Sequence, residues 1–178
     1  PSIGPGWSQY LRSTYPAAAE YKIRIHSLFQ QISLELAKTG GAVVLLVPDA
    51  FLNGAYYKKL RNFVCQNANI ITLCELPEST FDDAVVGKWC IAHYRRKDAQ
   101  NATSAATDIQ RVSRRDETLQ IENYKLEEVD LVSADKDRFQ IVFCDQDRNI
   151  LRQIGQCLPL RSVMRGHTGI RARTGQKT

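Results

Sequence analysis

The run AVVLLV, from Ala42 to Val47, is the feature that most constrains how this chain can fold. It is continuously apolar and rich in β-branched residues, with Gly40-Gly41 before it and Pro48 after it. An apolar run of this length is typical of a β-strand covered on both faces, as in a mostly parallel sheet. The sequence therefore predicts a central strand at residues 42–47.

The segments around this strand predict a layered α/β architecture. Apolar residues at helical spacing indicate an amphipathic helix from Ala17 to Lys38, and Gly40-Gly41 supplies its left-handed stop. After Pro48, either Asp49 or Asn53 can cap the next helix, whose inward face is Leu60, Phe63 and Val64.

Two further apolar runs, residues 69–76 and 85–94, predict two more strands. Their connection is too short for a crossover helix, so this last pair should be antiparallel. The order helix, strand, helix, strand, strand is half of a doubly wound sheet.

The rest of the chain predicts less regular structure. The stretch PSIGPGWSQYLRSTYP at the start and AQNATSAATD at 99–108 have the composition of loops. Beyond them, TLQIENYKL and RFQIVFC each suggest a short strand, and DRNILRQIGQCL a helix capped by Asp145 or Asp147. We expect three regions: residues 1–97 as the α/β body, 98–158 as a connector or lid, and 159–178 as a basic extension.

The basic residues are concentrated at the end of the chain, although the net charge is only +5. After Pro159 there is no acidic residue, and this segment favours a polyanion, although a solvated basic tail explains it equally well. Its cations are Arg161, Arg165, Arg171, Arg173 and Lys177.

The cysteine pattern and the hydropathy favour the cytoplasm. None of the five cysteines has a close partner of the metal-site type, and they resemble buried thiols of a reducing compartment. No apolar stretch is long enough to span a bilayer, so no membrane partner is expected.

Familiar catalytic motifs are missing from the sequence. It has no glycine-rich phosphate loop, no dinucleotide fingerprint and no metal-spaced His or Cys set. Isolated histidines such as His26 and His93 are more often structural than catalytic. The pair Asp82-Asp83 is more typical of a solvated turn than of an acid–base pair.

Three consecutive segments resemble the second half of the catalytic domain of DNA adenine methyltransferases from restriction-modification systems. They are YKIRIHSLFQQISLELAKTGG, AVVLLVPDAFLNGAYYKKLRNFV and IITLCELPESTFDDAVVGKWCIAHYRR. The resemblance covers residues 1–95 and resumes at CLPLRSVMRGHTGIRARTG, a phrase that in this family leads into a target-recognition domain. It implies a partial Rossmann-like methyltransferase sheet with the fifth to seventh strands and their helices, plus a small C-terminal extension.

The resemblance assigns the clearest functional role to Phe81. An aromatic residue in the loop between the sixth and seventh strands of this family contacts an adenine flipped out of the duplex, and PESTFDDAVVGKW is similar to that loop. The alternative is that Phe81 packs under a hairpin as core. Its polar neighbours, Ser79, Thr80, Asp82 and Asp83, favour the first interpretation.

The same resemblance suggests which residues contact double-stranded DNA. In the opening loop these are Arg12, Lys22 and Trp7, unless Trp7 and Tyr10 only anchor that loop. In the C-terminal run, Gly alternates with basic residues as in a phosphate-tracking loop, and a disordered basic stub is the alternative. The candidates there are Arg165, His167, Arg171, Arg173 and Lys177.

The family's cofactor loop and its Asn/Asp-Pro-Pro-aromatic signature are absent. The resemblance therefore implies S-adenosylmethionine and the remainder of the polypeptide as partners, with no metal required for methyl transfer. Fused restriction-methylation enzymes are among the relatives, so a nuclease domain is a candidate part of the whole protein. The chain alone should be inactive, and its open sheet edge suggests a homodimer.

Two alternatives stay open on the sequence alone. One is a noncatalytic nucleic-acid-binding α/β module that kept the sheet without the cofactor half. The other is an unrelated α/β scaffold whose basic tail is incidental. Salt-sensitive DNA binding that depends on residues 159–178 would argue against the scaffold.

Overall fold

A computed structural model describes residues 4–81, 87–98, 106–116, 118–127, 131–132, 138–158 and 162–164. Within these ranges the helices are α1 (Pro5–Thr14), α2 (Ile25–Leu36), α3 (Ala50–Asn53), α4 (Lys58–Asn67) and α5 (Asp145–Gln156). The strands are β1 (Ala42–Pro48), β2 (Ala68–Leu76), β3 (Trp89–Arg96), β4 (Thr107–Arg115) and β5 (Thr118–Leu126). Short 3₁₀ turns occupy Ala55–Tyr57 and Glu78–Thr80. No helix in these ranges is both long and apolar enough to cross a bilayer.

The five strands form one mixed sheet in the order β1-β3-β2-β4-β5. Strand β3 is antiparallel to both β1 and β2, β4 is parallel to β2, and β5 is antiparallel to β4. The predicted antiparallel pairing of the last two strands is therefore confirmed. Because β1, β2 and β4 run in one direction, their carboxyl ends lie at the same side of the sheet, called here the carboxyl edge; the opposite side is the amino edge.

Helices α2 and α4 pack on one face of this sheet. On that face Val43 and Val47 of β1 are buried, as are Leu73 of β2 and Ala92 of β3. Alternate residues of β1 point to the other face, where Val44 is 59% exposed. The alternation of buried and exposed positions is that of a strand covered on one face only.

The prediction of a central strand at residues 42–47 is wrong for the described sheet. The strand exists, but β1 lies at one end of the strand order and hydrogen-bonds only to β3. An apolar run shows that both faces of a strand are apolar, but it does not specify the neighbouring strand or what covers each face.

The first part of the chain also differs from the expectation. The opening segment contains α1 instead of a loop, because Pro5 fits the first position of a helix, where its fixed φ is suitable and its missing N–H costs no hydrogen bond. The helix expected from Ala17 begins only at Ile25. In the turns before it, the buried Ala18 N–H donates to Gln31 Oε1 at 2.9 Å, a contact that sequence periodicity does not reveal.

Beyond β3 the expectations are partly confirmed. Strand β5 matches TLQIENYKL, and α5 matches the predicted helix, although its N-cap is Cys144, whose Sγ accepts from the Asp147 N–H. Strand β4 was not predicted. The segment RFQIVFC forms only an isolated bridge, between Phe139 and Val132, and not the predicted strand. Gly40 adopts the expected left-handed conformation, with φ of +74°.

The prediction of five buried thiols is wrong for two of them. Cys74 and Cys90 are buried and Cys65 is half-buried, but Cys144 and Cys157 are exposed. The exposed pair flank α5, a helix with no buried residue. Within the part of the chain that the structure describes, none of the five is disulfide-bonded.

Candidate functional site

The centre of the carboxyl edge is formed by three strand ends lying side by side. Trp89, the first residue of β3, is paired with Pro48 at the end of β1 and with Leu76 at the end of β2. The Asp49 N–H donates to the Lys88 carbonyl at 3.0 Å, which ties the exit of β1 to the entry of β3. In open α/β sheets, ligands bind at this edge.

Phe81 lies next to this centre, against Trp89. The two ring centroids are 5.7 Å apart and the planes cross at 71°, an edge-to-face arrangement. Phe81 follows the Glu78–Thr80 turn, in which the Thr80 N–H and Oγ1 both donate to the Pro77 carbonyl, at 3.0 and 2.6 Å. This closed turn fixes the direction in which the chain leaves β2 and so positions Phe81.

The Trp89 indole N–H is a buried donor for which the described residues provide no hydrogen-bond partner. A buried polar group normally has a partner, because leaving it unpaired costs about 1–3 kcal/mol. Phe81 is half-buried, so part of its ring surface remains accessible. An accessible aromatic face of this kind can stack on a flat heterocycle.

A buried arginine holds the loop that follows β1. Arg61 on α4 is only 1% exposed, and its Nη1 donates to the carbonyls of Phe51 at 2.8 Å and Gly54 at 2.9 Å. A Cβ added to Gly54 would lie 2.5 Å from the Ala50 carbonyl oxygen, so only glycine fits this turn. These contacts fix α3 and the following 3₁₀ turn at the carboxyl edge.

His26 is a neutral imidazole next to this turn. Its Nε2 lies 3.2 Å from the Tyr57 hydroxyl. Burial, reinforced by the positive charge of Arg24, lowers the pKa of His26 to about 4, and burial raises the pKa of Tyr57. At neutral pH both groups are uncharged and form a hydrogen-bonded pair between α2 and the Ala55–Tyr57 turn.

The predicted DNA-contacting residues of the opening segment occupy different environments. Arg12 donates from Nη1 to the Ala19 carbonyl at 2.7 Å and from Nη2 to the Tyr21 carbonyl at 3.0 Å, so it holds the loop before α2. Lys22 is exposed in that loop. Trp7 is 67% exposed and contacts Tyr10 edge-to-face at 5.9 Å.

The remaining candidates lie outside the described residues. These are Asp82 and Asp83 after Phe81 and the C-terminal set Arg165, His167, Arg171, Arg173 and Lys177.

Sequence reasoning missed Trp89, Arg61 and the rings of Tyr21 and Tyr56. Tryptophan directly after Gly-Lys at the start of a strand was an available signal for Trp89. Arg61 gave no usable signal, because an arginine beside Leu60 in an amphipathic helix normally faces water.

The pocket beside the Ala55–Tyr57 turn does not suit S-adenosylmethionine, and a larger pocket of about 430 Å³ lies against Gly6, Trp7 and Tyr10. The pocket lined by Asn53, Ala55, Lys58 and Arg138 holds about 240 Å³, less than the roughly 300–1,000 Å³ of typical ligand pockets. Two cationic side chains line it, whereas the cofactor carries a sulfonium cation. Within the described ranges, no three His, Cys, Asp or Glu side chains are grouped so that they could hold a metal ion.

Comparison with known proteins finds a family similarity for the first part of the chain. Residues 4–81 match the family model described as Eco57I restriction-modification methylase. No curated protein matches the chain.

Two solved structures are similar to this chain. One is described as the modification subunit of a type I restriction enzyme from Vibrio vulnificus YJ016; it has 13% identity and a TM-score of 0.50, and the match covers 72% of this chain and 33% of that one. The other is described as a class I S-adenosylmethionine-dependent methyltransferase from Listeria monocytogenes. It has 24% identity and a TM-score of 0.42, and the match covers 47% of this chain and 25% of that one. The chain thus spans a third or less of each of these proteins.

The Vibrio structure supports the fold and the family model identifies the segment. The matched residues run from the start of α1 to Phe81, and so include β1, β2 and the turn at the carboxyl edge. Over residues 4–81, this chain is therefore similar to the Eco57I restriction-modification methylase family model.

Proposed function

We propose that this chain is part of an S-adenosylmethionine-dependent DNA methyltransferase that methylates the exocyclic amine of an adenine flipped out of the duplex. The observation that carries the proposal is the position of Phe81. It ends the segment that matches a methylase family and lies at the carboxyl edge, edge-to-face with Trp89. We propose cytoplasmic DNA as the substrate.

In this proposal, Phe81 stacks on the extruded adenine. Extrusion costs about a few kcal/mol of stacking and pairing, and an aromatic face returns about 1–3 kcal/mol per base. Trp89 supports the Phe81 ring from the side, in an edge-to-face contact at 5.7 Å between ring centroids. The base-binding role therefore belongs to the exit of β2 and the entry of β3.

The other functions belong to the remainder of the polypeptide. S-adenosylmethionine supplies the methyl group, and we assign its site to the remainder of the enzyme, because the pocket lined by Asn53, Ala55, Lys58 and Arg138 is small and cationic. The upstream part supplies the Asn/Asp-Pro-Pro-aromatic signature, and residues 159–178 lead into target recognition. A fused nuclease and a homodimer formed through the open edge of β1 are further parts of the proposal.

The contacts with the DNA backbone are assigned to two groups of residues. Lys22 is exposed near the carboxyl edge, while Arg12 acts mainly by holding the loop that carries Lys22. The second group is the C-terminal set Arg165, His167, Arg171, Arg173 and Lys177.

Methyl transfer from labelled S-adenosylmethionine to mixed-sequence DNA tests the proposal. Two proteins are compared: this chain, and a longer one extended upstream through the expected signature. We expect only the longer protein to transfer label. In it, Phe81→Ala should lower kcat/KM about 10- to 100-fold, as expected for losing one base stack.

The control for Phe81→Ala is Phe29→Ala, which removes an aromatic ring that is 58% exposed on α2. This variant should retain activity. Activity in the short chain would show that the cofactor site is misassigned. Absence of activity in both proteins, with DNA binding retained, would favour the noncatalytic nucleic-acid-binding module.

A further inference from the structure

We propose that Tyr21, Lys22, Arg24, Tyr56 and Lys59 form a second DNA-binding site, here called the tyrosine–lysine surface, which binds the sugar–phosphate backbone beside the base pocket. This inference rests on the proposed function, because it takes DNA as the partner. It adds Tyr21, Arg24, Tyr56 and Lys59 to Lys22, which the family resemblance already assigns to DNA contact.

Two exposed aromatic rings form the centre of this surface. Tyr21 and Tyr56 stack with their centroids 4.3 Å apart and their planes at 14°, and they remain 54% and 57% exposed. Tyrosines that only anchor a loop would be expected to bury their rings in the core. Both hydroxyl-bearing rings instead face solvent, where tyrosine is a common phosphate contact.

The surface is held in place from two sides. Arg12 fixes the Tyr21 carbonyl at 3.0 Å, and Glu20 Oε2 accepts from the Lys59 N–H at 2.9 Å. The loop before α2 is therefore joined both to α1 and to the start of α4. A prearranged surface loses less conformational entropy on binding than a mobile loop does.

Positive charge surrounds the stacked rings. Lys22, Arg24 and Lys59 have exposed side chains. Arg24 is close enough to His26 and Tyr57 for its charge to affect both groups. The acidic residue of this loop, Glu20, is engaged with the Lys59 backbone. An excess of cations over carboxylates suits the evenly spaced charges of a phosphodiester chain.

The tyrosine–lysine surface lies at the same edge as Phe81. Gly40, just beyond the end of α2, donates to the Arg96 carbonyl at the amino edge, and Asn67 at the end of α4 accepts there from Arg96. Both helices therefore begin at the carboxyl edge, about 15–18 Å away at 1.5 Å per residue. DNA that brings a base to Phe81 lies along the edge that carries this surface.

Fluorescence anisotropy of a labelled mixed-sequence duplex with the full chain tests the inference. The test variant is Lys22→Gln/Lys59→Gln. The matched control is Lys38→Gln/Lys125→Gln, which removes the same charge from two exposed lysines near the amino edge. We expect the test variant to weaken binding about tenfold at low salt and to reduce the salt slope by about 2, one unit for each lost phosphate contact.

A second pair of variants separates the rings from the charges. Tyr21→Ala/Tyr56→Ala should also weaken DNA binding several-fold, while Tyr21→Phe/Tyr56→Phe should retain more affinity because the stack persists. Melting curves of all variants show whether a loss of binding reflects unfolding. The lysine variants keep the inference testable if the alanine pair does not fold.

The outcomes distinguish this inference from the proposed function. Equal losses in the test and control lysine variants, or an unchanged salt slope in both, would overturn the tyrosine–lysine surface while leaving methyl transfer and the role of Phe81 intact. Competition by poly-glutamate as strong as by DNA, at equal charge, would indicate an acidic protein partner and overturn it as well. Absence of DNA binding by the unsubstituted chain at low salt would overturn the tyrosine–lysine surface, whereas the proposed function would still be decided by methyl transfer in the longer protein.

Discussion

Removing one hydroxyl group from the interface between α2 and the sheet should destabilise the fold in a way that a second substitution reverses. The Tyr94 hydroxyl on β3 donates to Gln30 Oε1 on α2 at 2.8 Å, and both side chains are fully buried. Gln30 Nε2 already lacks a hydrogen-bond partner among the described residues. Tyr94→Phe would leave the whole amide of Gln30 unpaired in an apolar interior.

The expected cost follows from this geometry. A buried acceptor that loses its partner costs about 1–3 kcal/mol, which for a chain of this size lowers Tm by roughly 3–10 °C. Gln30→Met also removes the amide, together with its unpaired N–H group. The double variant should therefore be within about 1 kcal/mol of the unsubstituted chain, because both polar partners are gone.

Urea denaturation followed by circular dichroism measures the free energy of unfolding of the unsubstituted chain, the two single variants and the double variant. These four values complete a double-mutant cycle. Burial raises the pKa of Tyr94 well above its ordinary value, so the phenol is a neutral donor and the coupling should be the same at pH 6 and pH 8. Strictly additive costs would refute the reasoning, since they would mean that the two groups do not interact in solution.

Three other predictions concern protonation, thiol reactivity and assembly. The pKa of His26 is about 4 in the folded state and about 6.5 in the unfolded state, so the unfolded state binds more protons between pH 4 and pH 6.5. The free energy of unfolding should therefore fall as the pH is lowered from 6.5 towards 4. The loss should be about 1 kcal/mol after allowance for solvent screening, and a His26→Gln variant with an equally steep decline would contradict this cause. In a thiol assay on the native protein at pH 8, the exposed Cys144 and Cys157 should react quickly. Cys90 should react only in urea, because burial raises its pKa to about 12. A fast phase that survives Cys144→Ser/Cys157→Ser would be inconsistent with these exposures. Light scattering at high concentration should detect a dimer that Val44→Lys/Leu46→Lys disrupts, because charge protects an open strand edge; a monomer at every concentration would exclude pairing through β1.

The strands that could be predicted from the sequence are those that coincide with local apolar runs. Strands β1, β2 and β3 are each marked by such a run, and the short connection after Leu76 was enough to predict an antiparallel pair. Strand β4 could not be predicted, because its sequence TDIQRVSRR has few apolar residues among the charged ones. Its place in the sheet depends on pairing with β2, which is distant in sequence.

In the candidate site, too, features of a local segment could be predicted from the sequence, whereas contacts between different elements could not. The loop carrying Phe81 could be found from its resemblance to a family motif, and its position at the carboxyl edge follows from the direction of β2. The edge-to-face contact with Trp89, the buried Arg61 and the stack of Tyr21 on Tyr56 all join residues from different elements. No local pattern encodes such pairs, since each depends on how helices and strands pack.

The parallel pairing of β4 with β2 gives the sheet a mechanical property. From Thr72 to Glu75, β2 is bonded on one side to β3 and on the other to β4, and Thr107 Oγ1 donates to the Ile70 carbonyl at 2.8 Å. Sliding the β4–β5 hairpin along the strand direction would load β2 in shear and reach Pro77, where the turn before Phe81 begins. We therefore expect a force applied to β4 or β5 to reach the Phe81 turn through the hydrogen-bonded backbone of β2, and to reach the exit of β1 through β3.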